Sequence, residues 1–237
     1  MTFSIIARDE ETGRIGAAVA SKFFAVGARN AVVRTGVGIV VSQAFFNPHY
    51  GPRGLALLAA GATAADAVRL LAAADEGRHL RQVHIMDASG QFAAHTGSEC
   101  TPWCGHLCKE TFSVAGNMLT DACVLEAMVE SYDGNADLPF ARRLVASMRA
   151  GEVAGGDKRG RQSAALVVHD REEYSLLDVR ADDHPDPLAE IERLEEVARQ
   201  YWVHFRRVLP STQNVAGVLD SAERQMIIAG SVAEGNE

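Results

Sequence analysis

Apolar and small residues open the chain in four short runs, Phe3 to Arg8, Ile15 to Ser21, Ala28 to Arg34 and Val37 to Gln43, punctuated by Gly13, Gly27 and Gly36. Runs of this length, rich in Val, Ile and Ala, predict a β-meander. The period then lengthens. Pro52 to Ala60 and Ala64 to Ala74 read as helices, the second behind Thr63 as N-cap. Val83 to Asp87 and Gln91 to His95 predict a hairpin across Ala88-Ser89-Gly90. A helix pair follows, Ala122 to Ser131 behind Thr120-Asp121 and Leu138 to about Ala150, stopped by Gly151. Ser163 to His169 and Tyr174 to Val179 return to strand.

After Arg180 the segment Asp182-Asp183-His184-Pro185-Asp186-Pro187 predicts a rigid acidic connector, because a residue before proline is biased away from helix. Beyond it Leu188, Ile191, Leu194, Val197, Ala198, Tyr201 and Phe205 recur at spacings of three and four, giving a long helix one apolar face. Ser211 to Glu237 reads as a short helical piece and a frayed acidic tail. The order predicts an α+β protein, two sheets between helical layers. Residues 1–182 are expected to form the main domain, and 183–237 a helical extension packing on it or on a second subunit.

Composition narrows the function. The 237 residues are 47% hydrophobic and 23% charged, as in an ordinary globular protein, and the net charge of −8 argues against a nucleic-acid surface. No apolar stretch approaches the roughly 20 residues of a membrane span and no leader is visible, so a cytoplasmic protein without a membrane partner is expected. Cys100, Cys104 and Cys108 flank His106 at spacings of four, but Pro102 and Gly105 break a helix there and no Cys-x-x-Cys pair exists. Neither a metal nor a cofactor is expected.

The residue that changes the picture is Thr2. Excision of Met1 would make it the N-terminus, and a terminal threonine holds a hydroxyl nucleophile and a general base, its own α-amine of pKa about 7.7 to 8.0, in one residue. The bland alternative is a small residue at position two with no catalytic role. Further along, Gly155 to Ser163 is Gly-rich and basic, so its backbone and Arg161 are candidates for binding a substrate carboxylate. The competing reading is a structural ion pair between Asp157 and Arg159 or Arg161.

Several strings carry a resemblance: Thr2-Phe3-Ser4-Ile5-Ile6-Ala7-Arg8-Asp9, Ser21-Lys22-Phe23-Phe24-Ala25-Val26-Gly27, Asn47-Pro48-His49-Tyr50-Gly51, Gly116-Asn117-Met118-Leu119, Gly155 through Ala165, and Asp183-His184-Pro185-Asp186-Pro187. Over roughly residues 2 to 190 the chain resembles the bacterial domain-of-unknown-function family 1028, placed among the N-terminal nucleophile hydrolases. The resemblance implies their four-layer αββα sandwich and leaves the reaction open. More loosely, the order of motifs is similar to proteasome β subunits. That likeness implies Thr2 as nucleophile, Ser21 at the end of the second strand, an oxyanion N–H near Ser42-Gln43-Ala44 joined by the Asn117 amide as second donor, and Gly116-Asn117 and the Asp157 to Ser163 loop around the amine. It departs at the flanking lysine, where this chain offers Arg29, Asn30 or Arg34. In such a fold Phe45 to Gly51 would rim the cleft, with Gln43, Asn47, Arg161 and Gln162 on the substrate.

These expectations amount to an N-terminal-threonine hydrolase of a small amide, working through an acyl-enzyme in a homo-oligomer. The alternatives are an acyltransferase with the same nucleophile and a catalytically silent sandwich used for binding or assembly.

Overall fold

The computed structural model describes residues 2–234; the expected excision of Met1 and the end of the acidic tail lie outside them. Among the described residues ten strands form two antiparallel sheets. The first has the order β10 (Leu177–Ala181), β9 (Ser163–His169), β2 (Ile15–Ser21), β1 (Thr2–Arg8), β8 (Phe112–Asn117), β7 (Gly105–Cys108). The second has β3 (Ala31–Arg34), β4 (Gly38–Ala44), β5 (Arg81–Asp87), β6 (Phe92–Thr96).

Alternation along β1 shows why two layers of core arise from one strand. Phe3, Ile5 and Ala7 join a cluster with Leu125, Met128, Leu144 and Met148, while Ile6 packs with Ile39 and Val41 of the other sheet. Successive side chains of a strand leave opposite faces, so β1 buries both. Helices α4 (Cys123–Gly134) and α5 (Phe140–Val153) cover the first sheet, and α2 (Tyr50–Ala59) and α3 (Ala64–Ala73) cover the second. The result is the α+β, four-layer αββα sandwich that the resemblance implied. Thr63 caps α3, its hydroxyl accepting the Asp66 N–H at 3.1 Å.

Three segments differ from expectation. The predicted strand Ala28 to Arg34 begins as a short helix, α1 (Val26–Asn30), entered through Ala25 at φ 53°. Gly27 lets it settle on the first sheet, since a Cβ there would stand 2.2 Å from the Ala165 Cβ. The segment before Thr120 holds two strands that the periodicity did not mark, β7 and β8, although Phe112 and Val114 alternate with Ser113 and Ala115. The long final helix breaks at Tyr201 into α6 (Pro187–Gln200) and α7 (Trp202–Phe205), and α8 (Ser221–Glu234) follows. Helix α6 packs against β9, β10 and α5. Among the described residues no helix is long and apolar enough to cross a membrane.

Candidate active site

Because β1 is paired on both sides, its first residue meets the ends of two neighbours: Thr2 lies opposite Ser21 of β2 and Asn117 of β8. Three polar residues far apart in sequence are thus brought together by register alone. The Thr2 and Ser21 hydroxyl oxygens are 3.1 Å apart, and Thr2 is only 5% exposed. Above them is a cavity of about 260 Å³, also lined by Asn30, Ala44, Asn117 and Met118, with Phe23, Phe45 and Phe46 among its walls. Two of its backbone positions are left-handed although not glycine, Ala44 at φ 66° and Met118 at φ 55°. Left-handed non-glycine residues are uncommon and collect where a site imposes its geometry.

Beneath the cavity, between the sheets, runs a buried polar network centred on Gln82. Its Nε2 donates to the carbonyls of Gly105 at 2.9 Å and Gly116 at 2.8 Å and lies 2.9 Å from Thr96 Oγ1. Carbonyls only accept, so the amide nitrogen must face them and Oε1 must face the other way. Oε1 accepts from Gln43 Nε2 at 2.8 Å and Asn117 Nδ2 at 3.0 Å. Gln43 Oε1 in turn accepts from the Ser4 hydroxyl at 2.8 Å, which leaves Ser4 Oγ to accept from His84 Nε2 at 2.9 Å. The second ring nitrogen of His84 then accepts from Ser113 Oγ at 3.2 Å. Burial pushes the His84 pKa down to about 3, so the ring is neutral, as one donating and one accepting nitrogen require.

The other expected site residues are distributed around this centre. Asp157 Oδ2 accepts the N–H of Lys22, next to Ser21, at 2.9 Å, and its backbone bridges to Leu119. It therefore stitches the glycine-rich loop to the strand ends carrying Ser21 and Asn117. Ser163 donates to the Phe23 carbonyl and accepts the Val26 N–H at 3.1 Å, holding the turn into α1. Arg161 and Asp157 share with Ser21 an adjoining cavity of about 120 Å³. There Arg161 is paired with Glu152 at 3.0 Å and Asp186 at 3.2 Å.

Gln43, Asn47 and Gln162, expected to contact substrate, do not line the cavity above Thr2. Gln43 is fully buried in the network, and Gln162 donates to Asp183 at 3.2 Å. Asn47 donates to Asp75 at 3.0 Å and lines a separate groove of about 680 Å³ beside α2 and α3. That groove is larger, but it contains neither Thr2 nor Ser21. Of the three residues considered in place of a lysine, Asn30 lines the cavity; Arg29 lies over the Phe24 ring at 6.0 Å, and Arg34 is exposed on β3.

Cys100 also lines the cavity, yet burial pushes its pKa up to about 11 and it donates to the Arg81 carbonyl at 3.3 Å. A protonated thiol is a poor nucleophile. Cys104 donates to the Cys100 carbonyl at 3.3 Å. Among the described residues no group of three His, Cys, Asp or Glu side chains gathers as metal ligands.

Comparison with known proteins gives the following. The model of a family described as a family of unknown function (DUF1028) matches residues 2–191. Among solved structures, the crystal structure of a DUF1028 protein from Silicibacter pomeroyi is 36% identical, with TM-score 0.85 over 92% of this chain and 99% of that one. Anbu (ancestral beta-subunit) from Yersinia bercovieri is 13% identical, with TM-score 0.40, covering 82% of this chain and 96% of that one. The Anbu (Gly-1) mutant from Hyphomicrobium sp. strain MC1 is 13% identical, with TM-score 0.42, covering 84% and 94%. No curated protein matches the chain.

Proposed function

The chain belongs to the DUF1028 family, and from that premise we propose that it is an N-terminal-threonine amidohydrolase acting on a small amide. The observation that carries the reading is the place of Thr2: first in a central strand, on the wall of a cavity, its hydroxyl 3.1 Å from that of Ser21. A volume of about 260 Å³ lies just below the roughly 300 to 1,000 Å³ of ligand pockets, which favours a small molecule over a polypeptide.

Once Met1 is removed, the Thr2 amine accepts the hydroxyl proton as Oγ1 bonds to the substrate carbonyl carbon. The C–N bond then breaks, the amine leaves with that proton, and an ester to Thr2 remains. Water, deprotonated by the same amine, hydrolyses the ester. Ser21 orients the hydroxyl, and Asp157 fixes the chain at Lys22 beside it. Met226 and Val232, exposed on α8, support the homo-oligomer in this reading.

Intact mass and labelling by an acylating probe test the proposal. Protein lacking Met1 and labelled on Thr2, with labelling abolished in a folded Thr2→Ala variant, is the expected outcome. A mass retaining Met1, with no labelling, would favour the silent binding module. Capture of the acyl group by added amines in preference to water would make the protein an acyltransferase.

A further inference from the structure

We infer that the cavity recognises its substrate through the substrate's own N–H groups, with Asn30 and Asn117 as fixed acceptors. The substrate class is then a small carboxamide or ureide carrying at least two N–H donors. This rests on the reading of Thr2 as nucleophile and adds the chemistry of what reaches it.

The inference follows from which end of each amide the protein has taken. Asn117 has two hydrogens on Nδ2, and they point to Gln82 Oε1 at 3.0 Å and the Thr2 carbonyl at 3.4 Å. Gln82 cannot turn over, since that would set its oxygen against the carbonyls of Gly105 and Gly116. Asn117 is therefore fixed as well, and its Oδ1 has no hydrogen-bond partner among the described residues. Asn30 repeats the arrangement from the other sheet. Its Nδ2 donates to the Ser42 carbonyl at 2.7 Å, while its Oδ1 is buried without a partner.

Both asparagines line the cavity of Thr2, and both are more than nine-tenths buried. Each offers a carbonyl oxygen, which can only accept. A ligand that brings only oxygens to them, such as an ester, meets them oxygen to oxygen, whereas the place for a carboxylate on this wall is beside Arg159, itself paired with Asp157. A carboxamide or ureide brings the hydrogens they lack. Phe23 and Phe46, edge to face at 6.1 Å, and Phe45 provide apolar wall for the rest of the molecule. The orientation also gives Asn117 a different task from the oxyanion donor its sequence position implied. With both hydrogens committed, it accepts an N–H of the amine that leaves. Gln82 is the positioning residue that keeps it turned that way.

The test is a titration of Met1-free Thr2→Ala protein, which cannot turn over, with phenylurea, benzamide, N,N-dimethylbenzamide and methyl benzoate. The first two are expected to bind at least about tenfold more tightly than the last two, the difference of about one hydrogen bond. Adding Asn30→Ala should shrink that preference, and Gln82→Met, which frees the Asn117 amide to turn, should shrink it with the fold intact by circular dichroism. Equal affinity for the four compounds, or no binding of the amides, overturns the inference. A preference untouched by Gln82→Met removes Gln82 from its positioning role. Labelling of Thr2 in the wild-type protein is read separately: labelling without an N–H preference refutes only this inference, whereas preference without labelling supports recognition and refutes the nucleophile.

Discussion

Ala44 and Met118 illustrate what the site imposes on single residues. Both line the cavity and both hold left-handed backbone that costs an L-residue about 1–2 kcal/mol. Glycine removes that strain but adds freedom to the unfolded chain worth about 0.4–1 kcal/mol. Ala44→Gly should therefore stabilise the fold by up to about 1.6 kcal/mol, read as a higher urea midpoint; a lower midpoint would mean that Ala44 is unstrained. At this scale the sequence was informative for Thr2, because a threonine before an apolar strand carries its own chemical argument. Ser21 and Asn117 came from the resemblance, and their register opposite Thr2 brings all three to one place. Gln82 was not legible, since a glutamine inside a strand has no signature until the carbonyls of Gly105 and Gly116 are seen to hold it. Nor could Asn30 be chosen over Arg29 and Arg34, because the turn from α1 into β3 decides which of them faces inward.

Among the elements, β9 and the capped helix α3 were legible because their apolar runs end at a clear cap or turn. Strand β8 leaves little mark on the sequence although it flanks Thr2. Its run is only six residues long, and Ala115 and Gly116 dilute the apolar signal. Helix α1 reads as strand in the sequence because Ala28 to Arg34 gives no helical period over five residues, and its position is set by contact with β9. That contact makes a sharp prediction. In Gly27→Ala the new methyl would lie 2.2 Å from the Ala165 Cβ, an overpacking that typically costs about 1–3 kcal/mol. A drop in Tm is expected, and since α1 carries Asn30, weaker discrimination between amides and esters should accompany it. An unchanged Tm would show that α1 can shift without cost.

For the whole molecule, the layered sandwich was legible through the resemblance, and alternation along β1 shows how one strand feeds two cores. The polar network between the sheets was not, because it exists only once the layers are stacked. It makes stability depend on pH. His84 is neutral in the fold with a pKa of about 3, whereas an unfolded histidine takes up a proton near pH 6.5. Between those values the unfolded chain binds a proton that the native protein refuses, so stability falls as pH drops from about 6.5 to about 3. The urea midpoint of wild type should fall more between pH 7.5 and pH 4.5 than that of His84→Gln, choices of pH that bracket the unfolded value; equal losses would place the acid sensitivity elsewhere. The burial of Thr2 between two paired neighbours has a practical corollary. Any polypeptide joined to its nitrogen must occupy the room ahead of the strand, so the chain would act as its own stopper. With Thr2 as the proposed nucleophile, a fusion carrying an amino-terminal tag should escape acylation until a protease cuts directly before Thr2, whereas a tag on the opposite terminus should leave labelling of Thr2 unchanged.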